Sequence, residues 1–281
     1  MKNHDAARPF VFMLAPTVRS GTNYVFELLQ KSGVCEIAKG TVLSSEDYLL
    51  ANAEPLFQFV DMLRNRYSSN GTDKNPEIDL LQARLLHELG EGLKRTIEAE
   101  GRLPVLLKTP SVRNIDNFFT LFGNEKLLLL VRDGRDTCES MVRSGYAKNY
   151  KHAFKYWKRM ARITMTFMDG IGPDNNADNV LLLRYEDVLA DPAKAVMKVA
   201  SWLNVPVDPQ DFPDFVQMPI IGSSELGREK DGSFTYKTVP AQLNFNPVGR
   251  WQSWSFLRRR QFKKIANDPL VYFGYERDDK W

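Results

Sequence analysis

Four short segments of the 281-residue chain are continuously apolar instead of alternating between apolar and polar residues. Strands buried on both faces of a parallel sheet have this pattern, because neither face meets water. The four predicted strands are Phe10–Ala15, Leu103–Leu107, Lys126–Val131 and Val180–Leu183.

Turns and helical periodicity follow these strands. Helices are predicted around Tyr24–Leu29 and from near Gly134, and a third has Asp191 as its N-cap, Pro192 in its first position and its end near Leu203. The repeated strand–turn–helix order predicts an α/β protein of three layers, in which helices cover both faces of a central, mostly parallel sheet.

Two segments break this order. Residues 36–76 read as an insertion of loop and helix, and residues 206–245 are rich in Pro, Gly and Ser and lack clear periodicity. Segments of this length are often functional lids, so we expect both to cover an acceptor site. The chain length suits one large α/β domain, which we place over residues 1–281.

Composition and charge exclude several classes of protein. With 43% hydrophobic and 26% charged residues the chain is not intrinsically disordered. A formal charge of +3 is too weak to imply a nucleic-acid or membrane partner. The only two cysteines, Cys35 and Cys138, cannot build a disulfide framework or a four-thiolate zinc site. Without a signal peptide or a membrane span, the sequence predicts a cytoplasmic protein that uses no metal.

The turn after the first predicted strand carries the first candidate site. A helix follows it at once, and a helix N-terminus offers free backbone N–H groups and partial positive charge to a phosphate. Gly21 lets the backbone approach an anion, and Arg19 adds a cation. Neutral donors come from Ser20, Thr22 and Asn23. The turn is not a Walker A motif, since the basic residue precedes the glycine. An ordinary polar turn with a surface arginine is the alternative.

A second candidate site follows the third predicted strand. Arg132 comes directly after the strand, and Ser140 lies eight residues later in the next helix. Open α/β sheets bind ligands at the carboxyl ends of their strands, so these two side chains can hold an anion. The alternative is that Arg132, Asp133, Arg135 and Asp136 pair with one another, as surface charges often do.

A basic stretch occupies residues 258–264 and could indicate nucleic acid or an anionic surface. The apolar spacing through Phe256, Leu257 and Ile265 favours the solvated face of a helix. We therefore expect no nucleic-acid partner.

Four motifs occur in order along the chain. They are Arg19–Thr22, Arg132 with Ser140, Arg184–Asp187 ahead of Asp191-Pro192, and Val248–Trp251. Together they resemble the two nucleotide-binding signatures, the R/Y-Y-E-D stretch and the C-terminal G-x-W segment of the sulfotransferases that use 3′-phosphoadenylyl sulfate (PAPS). The resemblance extends from about residue 9 to residue 255. It implies a P-loop NTPase-like sulfotransferase fold.

The resemblance also implies a role for each motif. The protein would move a sulfuryl group from PAPS to a hydroxyl or amine and release adenosine 3′,5′-bisphosphate. Residues 19–23 would hold the 5′-phosphosulfate, and Arg132 with Ser140 would hold the 3′-phosphate. Tyr185 would contact the adenine side, unless it only packs in the core. The acceptor would be a small molecule, or a carbohydrate or lipid-like compound, with a hydroxyl group.

Candidates for the chemistry itself come from two further places. Lys108, after the second predicted strand, could bind the sulfuryl oxygens or the leaving group, or it could be a solvated strand-end lysine. The family's cytosolic branch has a histidine base where this chain has Pro110. The branches that have arginine in place of that branch's lysine, as this chain does, can use glutamate as base, so the resemblance implies a carboxylate. Glu46 is the first choice and Asp47 the second; the alternative is that they cap the next helix.

Two differences from the cytosolic branch concern the cofactor. Arg19 stands where that branch has lysine, and arginine acts there only by charge and hydrogen bonds. The branch's Arg-Lys-Gly triplet falls on residues 244–246 and is absent, which makes Arg250 a candidate replacement.

Two other functions fit the same residues. A nucleotide or small-molecule kinase could use the turn at residues 19–23 as a degenerate phosphate loop. A non-catalytic nucleotide-binding module of the same fold would need no base.

Overall fold

The computed structural model describes most of the chain. The described residues are 8–39, 46–67, 76–172, 176–208, 218, 220–221, 238–239 and 246–281. Most of the second predicted lid, residues 206–245, and parts of the first, residues 36–76, therefore lie outside the described residues.

Five strands form the central sheet, in the order β2-β3-β1-β4-β5. Every neighbouring pair is parallel. The strands are β1 (Phe10–Leu14), β2 (Glu36–Ile37), β3 (Val105–Thr109), β4 (Lys126–Val131) and β5 (Val180–Arg184). A separate antiparallel pair consists of β6 (Ile220–Ile221) and β7 (Thr238–Val239).

Continuous apolar runs located four of the five central strands. The bounds of β4 are as predicted, whereas β3 begins and ends two residues later than the predicted Leu103–Leu107. The cause is the register with β1, which pairs Met13 with Lys108 and Leu14 with Thr109 and so extends the strand into polar sequence. The strand β2 was missed because two residues give no periodic signal.

Nine helices occur in the described part of the chain. They are α1 (Thr22–Lys31), α2 (Glu54–Tyr67), α3 (Pro76–Arg95), α4 (Phe118–Phe122), α5 (Gly134–Arg143), α6 (Tyr150–Gly170), α7 (Tyr185–Ala190), α8 (Pro192–Leu203) and α9 (Phe256–Tyr272). As predicted, Asp191 caps α8, where its carboxylate accepts a 2.9 Å hydrogen bond from the backbone N–H of Lys194. None of the described helices is both long and apolar enough to cross a membrane.

Alternate side chains of the sheet pack into two different apolar layers. Val11 and Met13 of β1 join the cluster formed with α1 and α8. Phe12 points to the other face, where its ring centroid lies 5.3 Å from that of Phe118 and 4.3 Å from that of Phe122 in α4. Helices therefore cover both faces of the sheet, which confirms the predicted three-layer fold.

A third apolar cluster joins α5, α6 and α9 beside the sheet. Trp157 of α6 and Phe262 of α9 are buried within it, with ring centroids 5.8 Å apart. Trp254, just ahead of α9, packs on Phe262 at 5.7 Å. This cluster fixes the chain after residue 246 against α5, the helix that follows β4.

Gly90 sits where α3 packs on α4, and it gives a matched pair of substitutions with Gly92. A Cβ at Gly90 would lie 1.7 Å from the backbone oxygen of Leu121, whereas one at Gly92 would meet only the end of the Arg95 side chain, at 3.8 Å. We expect Gly90→Ala to lower the free energy of unfolding by about 1–3 kcal/mol. Gly92→Ala should raise it by about 0.5–1 kcal/mol, because alanine is the better helix former.

Urea denaturation of both variants checks this pair. Equal effects of the two substitutions would contradict the close packing of α3 on α4 at Gly90.

Candidate active site

The carboxyl ends of β1, β3 and β4 meet at one edge of the sheet, and the predicted site residues lie there. The turn at residues 15–21 follows β1, Lys108 lies in the last part of β3, and Arg132 follows β4. Parallel pairing alone brings these three segments together, although 113 residues separate Arg19 from Arg132.

The turn after β1 has an unusual backbone. Arg19 (φ 70°) and Gly21 (φ 92°) both have left-handed conformations. Alternating handedness of this kind curls successive N–H groups toward one concave side, which suits an anion. The hydroxyl of Ser20 donates a 2.7 Å hydrogen bond to the backbone oxygen of Thr17. Ser20 therefore stabilises the turn from inside.

Gly21 is required for a second reason that the sequence did not reveal. A Cβ at this position would lie 2.2 Å from Cε2 of Tyr185. The aromatic ring thus supports the turn at the glycine. Tyr185 is only 1% exposed, and burial raises its pKa to about 12. This position favours the packing interpretation for Tyr185 over contact with an adenine.

The two predicted anion sites are joined directly. Nε of Arg19 lies 3.1 Å from Oγ of Ser140, and Nη1 of Arg132 donates a 2.8 Å hydrogen bond to the backbone oxygen of Arg19. Nη2 of Arg132 donates a 2.6 Å hydrogen bond to the backbone oxygen of Pro247. The guanidinium of Arg132 also lies 4.9 Å from the ring centroid of Tyr185. The structure therefore brings Arg19, Ser140 and Arg132 into one cluster.

Of the four charged residues after β4, only two pair with each other, as the alternative interpretation supposed for all four. Asp133 and Arg135 form a buried ion pair with a 2.7 Å contact. The carboxylate of Asp136 instead accepts hydrogen bonds from the backbone N–H groups of Gly249 (2.7 Å) and Trp251 (3.1 Å). Arg132 is left out of these pairs and faces the turn after β1.

The motif at residues 184–187 holds the backbone that follows Arg132 by hydrogen bonds. Glu186 accepts hydrogen bonds from the backbone N–H of Asp133 (3.0 Å) and from the hydroxyl of Tyr275 (2.8 Å). Burial raises the pKa of Glu186, and these hydrogen bonds oppose that effect. The motif thus holds the first residues after Arg132 in place.

Lys108 is buried in β3, with 7% of its surface exposed, so the interpretation as a solvated strand-end lysine is wrong. Its ammonium group donates a hydrogen bond to Oδ1 of Asn23 and lies 3.9 Å from Oε1 of Glu46. Burial lowers the pKa of Lys108, while the charge of Glu46 opposes this shift. Lys108 therefore connects the start of α1 with the segment that carries the candidate base.

The two candidate bases differ in how their oxygens are used. Asp47 accepts hydrogen bonds from the backbone N–H of Leu49 (2.9 Å) and from the hydroxyl of Thr109 (2.9 Å). Burial raises the pKa of Asp47. Asp47 thus fixes the turn at residues 47–49, but it does not cap α2, which begins only at Glu54, so the capping alternative is wrong. Glu46 accepts one 2.8 Å hydrogen bond from the hydroxyl of Tyr48 and is half-buried.

Two carboxylates of α5 fasten the segment after residue 246 to the site, and sequence reasoning did not assign either of them this role. Asp136 binds the backbone on both sides of Arg250, where a 3-10 turn (Arg250–Ser253) begins. One helical turn later, Glu139 accepts a 2.5 Å hydrogen bond from Nε1 of Trp254. The sequence does contain one signal for this role: Asp136 and Glu139 are three residues apart, which places both carboxylates on one side of the helix. The predicted triplet position falls partly on residues 244 and 245, outside the described residues.

The chain is similar to known sulfotransferases in sequence and in fold. The model of the Sulfotransferase family matches residues 9–209. The sulfotransferase domain from the curacin biosynthetic pathway is 18% identical with a TM-score of 0.55, and the match covers 96% of this chain and 98% of that one. The sulfotransferase domain of the Synechococcus PCC 7002 olefin synthase is 19% identical with a TM-score of 0.55, at 97% coverage of each chain.

A third solved structure was determined with a nucleotide. Mouse sulfotransferase SULT7A1, complexed with PAP, is 14% identical with a TM-score of 0.50, and the match covers 98% of this chain and 88% of that one. No curated protein sequence matches the chain. At these identities the structural matches show that the fold is shared.

Glu139 gives a test of how the segment after residue 246 is held. Burial disfavours its charged form, but hydrogen bonds from Trp254, Arg143 and Tyr150 outweigh burial, and the pKa of Glu139 lies below its ordinary value. A carboxylate with a lowered folded-state pKa stabilises the fold above the unfolded-state pKa of about 4.3, and this contribution is lost as the pH falls through the folded value. Glu139→Gln should therefore lower the free energy of unfolding by about 1–3 kcal/mol at pH 7.

The difference between Glu139→Gln and the native chain should shrink below about pH 4, as measured by chemical denaturation across pH. Glu100→Gln is the control, because the pair of Glu100 with Lys39 is exposed and should change stability by less than about 0.5 kcal/mol. A pH-independent difference for Glu139→Gln would contradict the charged role of this carboxylate.

Proposed function

Because this chain belongs to the sulfotransferase family, we propose that it transfers a sulfuryl group from PAPS to a hydroxyl or an amine of an acceptor. The product of the donor would be adenosine 3′,5′-bisphosphate (PAP). PAP is the molecule bound in the mouse structure that shares this fold. The acceptor would be a small molecule, or a carbohydrate or lipid-like compound, with a hydroxyl group.

The observation that carries the proposal is the cluster of two arginines and a serine at the carboxyl edge of the sheet. PAPS has negative charge at both ends of its ribose. The cluster offers two cations, Arg19 in the turn after β1 and Arg132 directly after β4. The turn with Arg19 would hold the 5′-phosphosulfate at the start of α1. Arg132 and Ser140 would hold the 3′-phosphate, and Arg19 would exchange its hydrogen bond to Ser140 for phosphate oxygens.

Sulfuryl transfer would proceed by in-line displacement. The acceptor oxygen forms a bond to sulfur while the bond from sulfur to the bridging oxygen of PAPS breaks, and the electron pair of that bond stays on the departing phosphate. As in phosphoryl transfer, the chemistry consists mainly of positioning and of stabilising developing charge. Negative charge grows on the bridging oxygen, so a fixed cation near it lowers the barrier.

Lys108 is the cation best placed for that role. Its ammonium group is bound to Asn23, which follows the phosphate-binding turn, and its burial strengthens its interaction with a developing negative charge. Lys108 would contact the leaving oxygen or the sulfuryl oxygens. Arg19 would share that charge through hydrogen bonds, since arginine does not give up its proton.

Glu46 would take the proton from the acceptor hydroxyl. It lies 3.9 Å from the ammonium of Lys108, beside the proposed position of the sulfuryl group. Its second oxygen is held by Tyr48, which orients the carboxylate. Asp47 has both oxygens engaged in the turn and would act only by positioning Glu46.

Nucleotide titration tests the donor. We expect the native chain to bind PAP at least tenfold more tightly than adenosine 5′-monophosphate, which lacks the 3′-phosphate, because a charge-assisted hydrogen bond contributes about 1.5–3 kcal/mol. Arg132→Ala should remove that preference. Because Arg132 also donates a hydrogen bond to the backbone of the turn with Arg19, the affinity for the monophosphate should fall as well, but by a smaller factor than the affinity for PAP. Ser140→Ala is the milder variant, and it should reduce the preference in part. Calorimetry with each nucleotide gives the affinities of the native chain and of each variant.

Arg95→Ala is the matched control, since Arg95 is an exposed arginine at the end of α3, and it should bind both nucleotides like the native chain. A native chain that binds ATP but not PAP would reject the proposal in favour of a kinase. The same affinity for PAP and for the monophosphate would reject the 3′-phosphate site.

Glu46→Gln tests the base. Loss of a general base lowers turnover by about 10²- to 10⁴-fold. The affinity for PAP should change far less, because the proposed nucleotide contacts come from Arg19, Arg132 and Ser140 and not from Glu46. Transfer of labelled sulfate from PAPS to a panel of hydroxylated acceptors gives the turnover. Asp47→Asn should mainly lower thermal stability, because it weakens the turn. A larger turnover loss for Asp47→Asn than for Glu46→Gln would exchange the two roles.

A further inference from the structure

Helices α6 and α9 are strongly basic, whereas the rest of the chain has a net negative charge. Together α6 and α9 contain ten of the 38 basic residues and two of the 35 acidic residues. Their net charge is +8, and that of the remaining chain is −5, which the overall charge of +3 conceals. Crowded like charges destabilise a fold by repulsion. Their concentration on two elements indicates a partner with negative charge.

The two helices lie side by side and run in the same direction. Near their starts the guanidinium of Arg258 lies 3.8 Å from the ring centroid of Tyr150. Near their ends the hydroxyl of Tyr272 donates a 2.7 Å hydrogen bond to Asp169. Their exposed sides therefore form one continuous surface.

This surface, called the basic face below, is defined by six exposed side chains. They are Lys151, Lys155, Arg159 and Arg162 of α6, and Arg260 and Lys264 of α9. On α6 the spacing of three and four residues places them on one side of the helix. Asp268 pairs with Arg162 through a 2.6 Å contact and so neutralises only part of the charge.

Exposed apolar side chains lie at one end of the basic face. Phe256 and Leu257, the first residues of α9, are 74% and 73% exposed, more than any other large apolar side chain in the described part of the chain. The sequence interpretation of this stretch as a plain solvated helix face is therefore incomplete. A helix that meets only water gains nothing from exposing a phenylalanine and a leucine side by side.

We propose that the basic face docks on the surface of a bilayer that contains anionic phospholipids. The cations would lie at the headgroups, and Phe256 and Leu257 would enter the boundary with the acyl chains. Basic residues combined with exposed aromatic and leucine side chains are typical of helices that bind in the membrane interface. An acidic polymer would use the charges but would leave these two side chains in water.

Co-sedimentation of the full chain with phosphatidylcholine vesicles, with and without phosphatidylserine, tests the proposal. We expect binding only with phosphatidylserine, and we expect added NaCl to weaken it because salt screens surface charge. Arg260→Glu with Lys264→Glu should weaken binding at least tenfold, because each cation near an anionic surface contributes about fivefold. Phe256→Ser with Leu257→Ser should also weaken binding at least tenfold at unchanged charge.

The control removes two equally exposed apolar side chains elsewhere. Met62 of α2 and Leu80 of α3 are 63% and 71% exposed, and Met62→Ser with Leu80→Ser should bind vesicles like the native chain. Circular dichroism checks that each variant is folded, and the NaCl series on the native chain tests the charges without any substitution.

Three outcomes would overturn the proposal. The first is absence of vesicle binding, and the second is equal binding to neutral and anionic vesicles. The third is retention on heparin, unchanged by Phe256→Ser with Leu257→Ser, in a chain that does not bind vesicles. That result would assign the basic face to an acidic polymer. PAP affinity is measured separately, so failure here leaves the donor assignment untouched.

Discussion

The buried guanidinium of Arg132 holds the candidate site together. It donates hydrogen bonds to the backbone oxygens of Arg19 and Pro247, which lie 113 and 115 residues away in sequence. A buried cation is costly unless hydrogen bonds replace its hydration. The turn after β1 and the segment before α9 supply these acceptors, so both must keep their places for Arg132 to stay buried.

Buried carboxylates and an aromatic ring hold the segments around Arg132 in place. Asp136 and Glu139 of α5 bind the segment after residue 246, and Glu186 binds the backbone at Asp133. Tyr185 supports Gly21 from below. Each of these groups touches an element that carries a predicted nucleotide contact. The site is thus positioned by a shell of buried polar groups, of the kind that keeps the geometry of charged sites fixed.

Lys108 links this arrangement to the proposed chemistry. The register of β3 with β1 pairs it with Met13 inside the sheet edge, where burial lowers its pKa and Glu46 opposes that shift. The next residue, Thr109, donates a hydrogen bond to the carboxylate of Asp47, so the segment with Glu46 is fixed by the strand that carries the lysine. One strand therefore positions both Lys108, the cation proposed for the leaving group, and the candidate base.

The sequence by itself determined the fold class, four of the five central strands and the family, because continuous apolar runs and ordered motifs are local signals. It also marked Arg19, Arg132 and Ser140, which lie together in the structure. Only the tertiary structure decided that the ring of Tyr185 lies against Gly21, how the oxygens of Glu46 and Asp47 are hydrogen-bonded, and that Phe256 and Leu257 are exposed. Those properties depend on contacts between residues distant in sequence, and neither periodicity nor spacing contains information about such contacts.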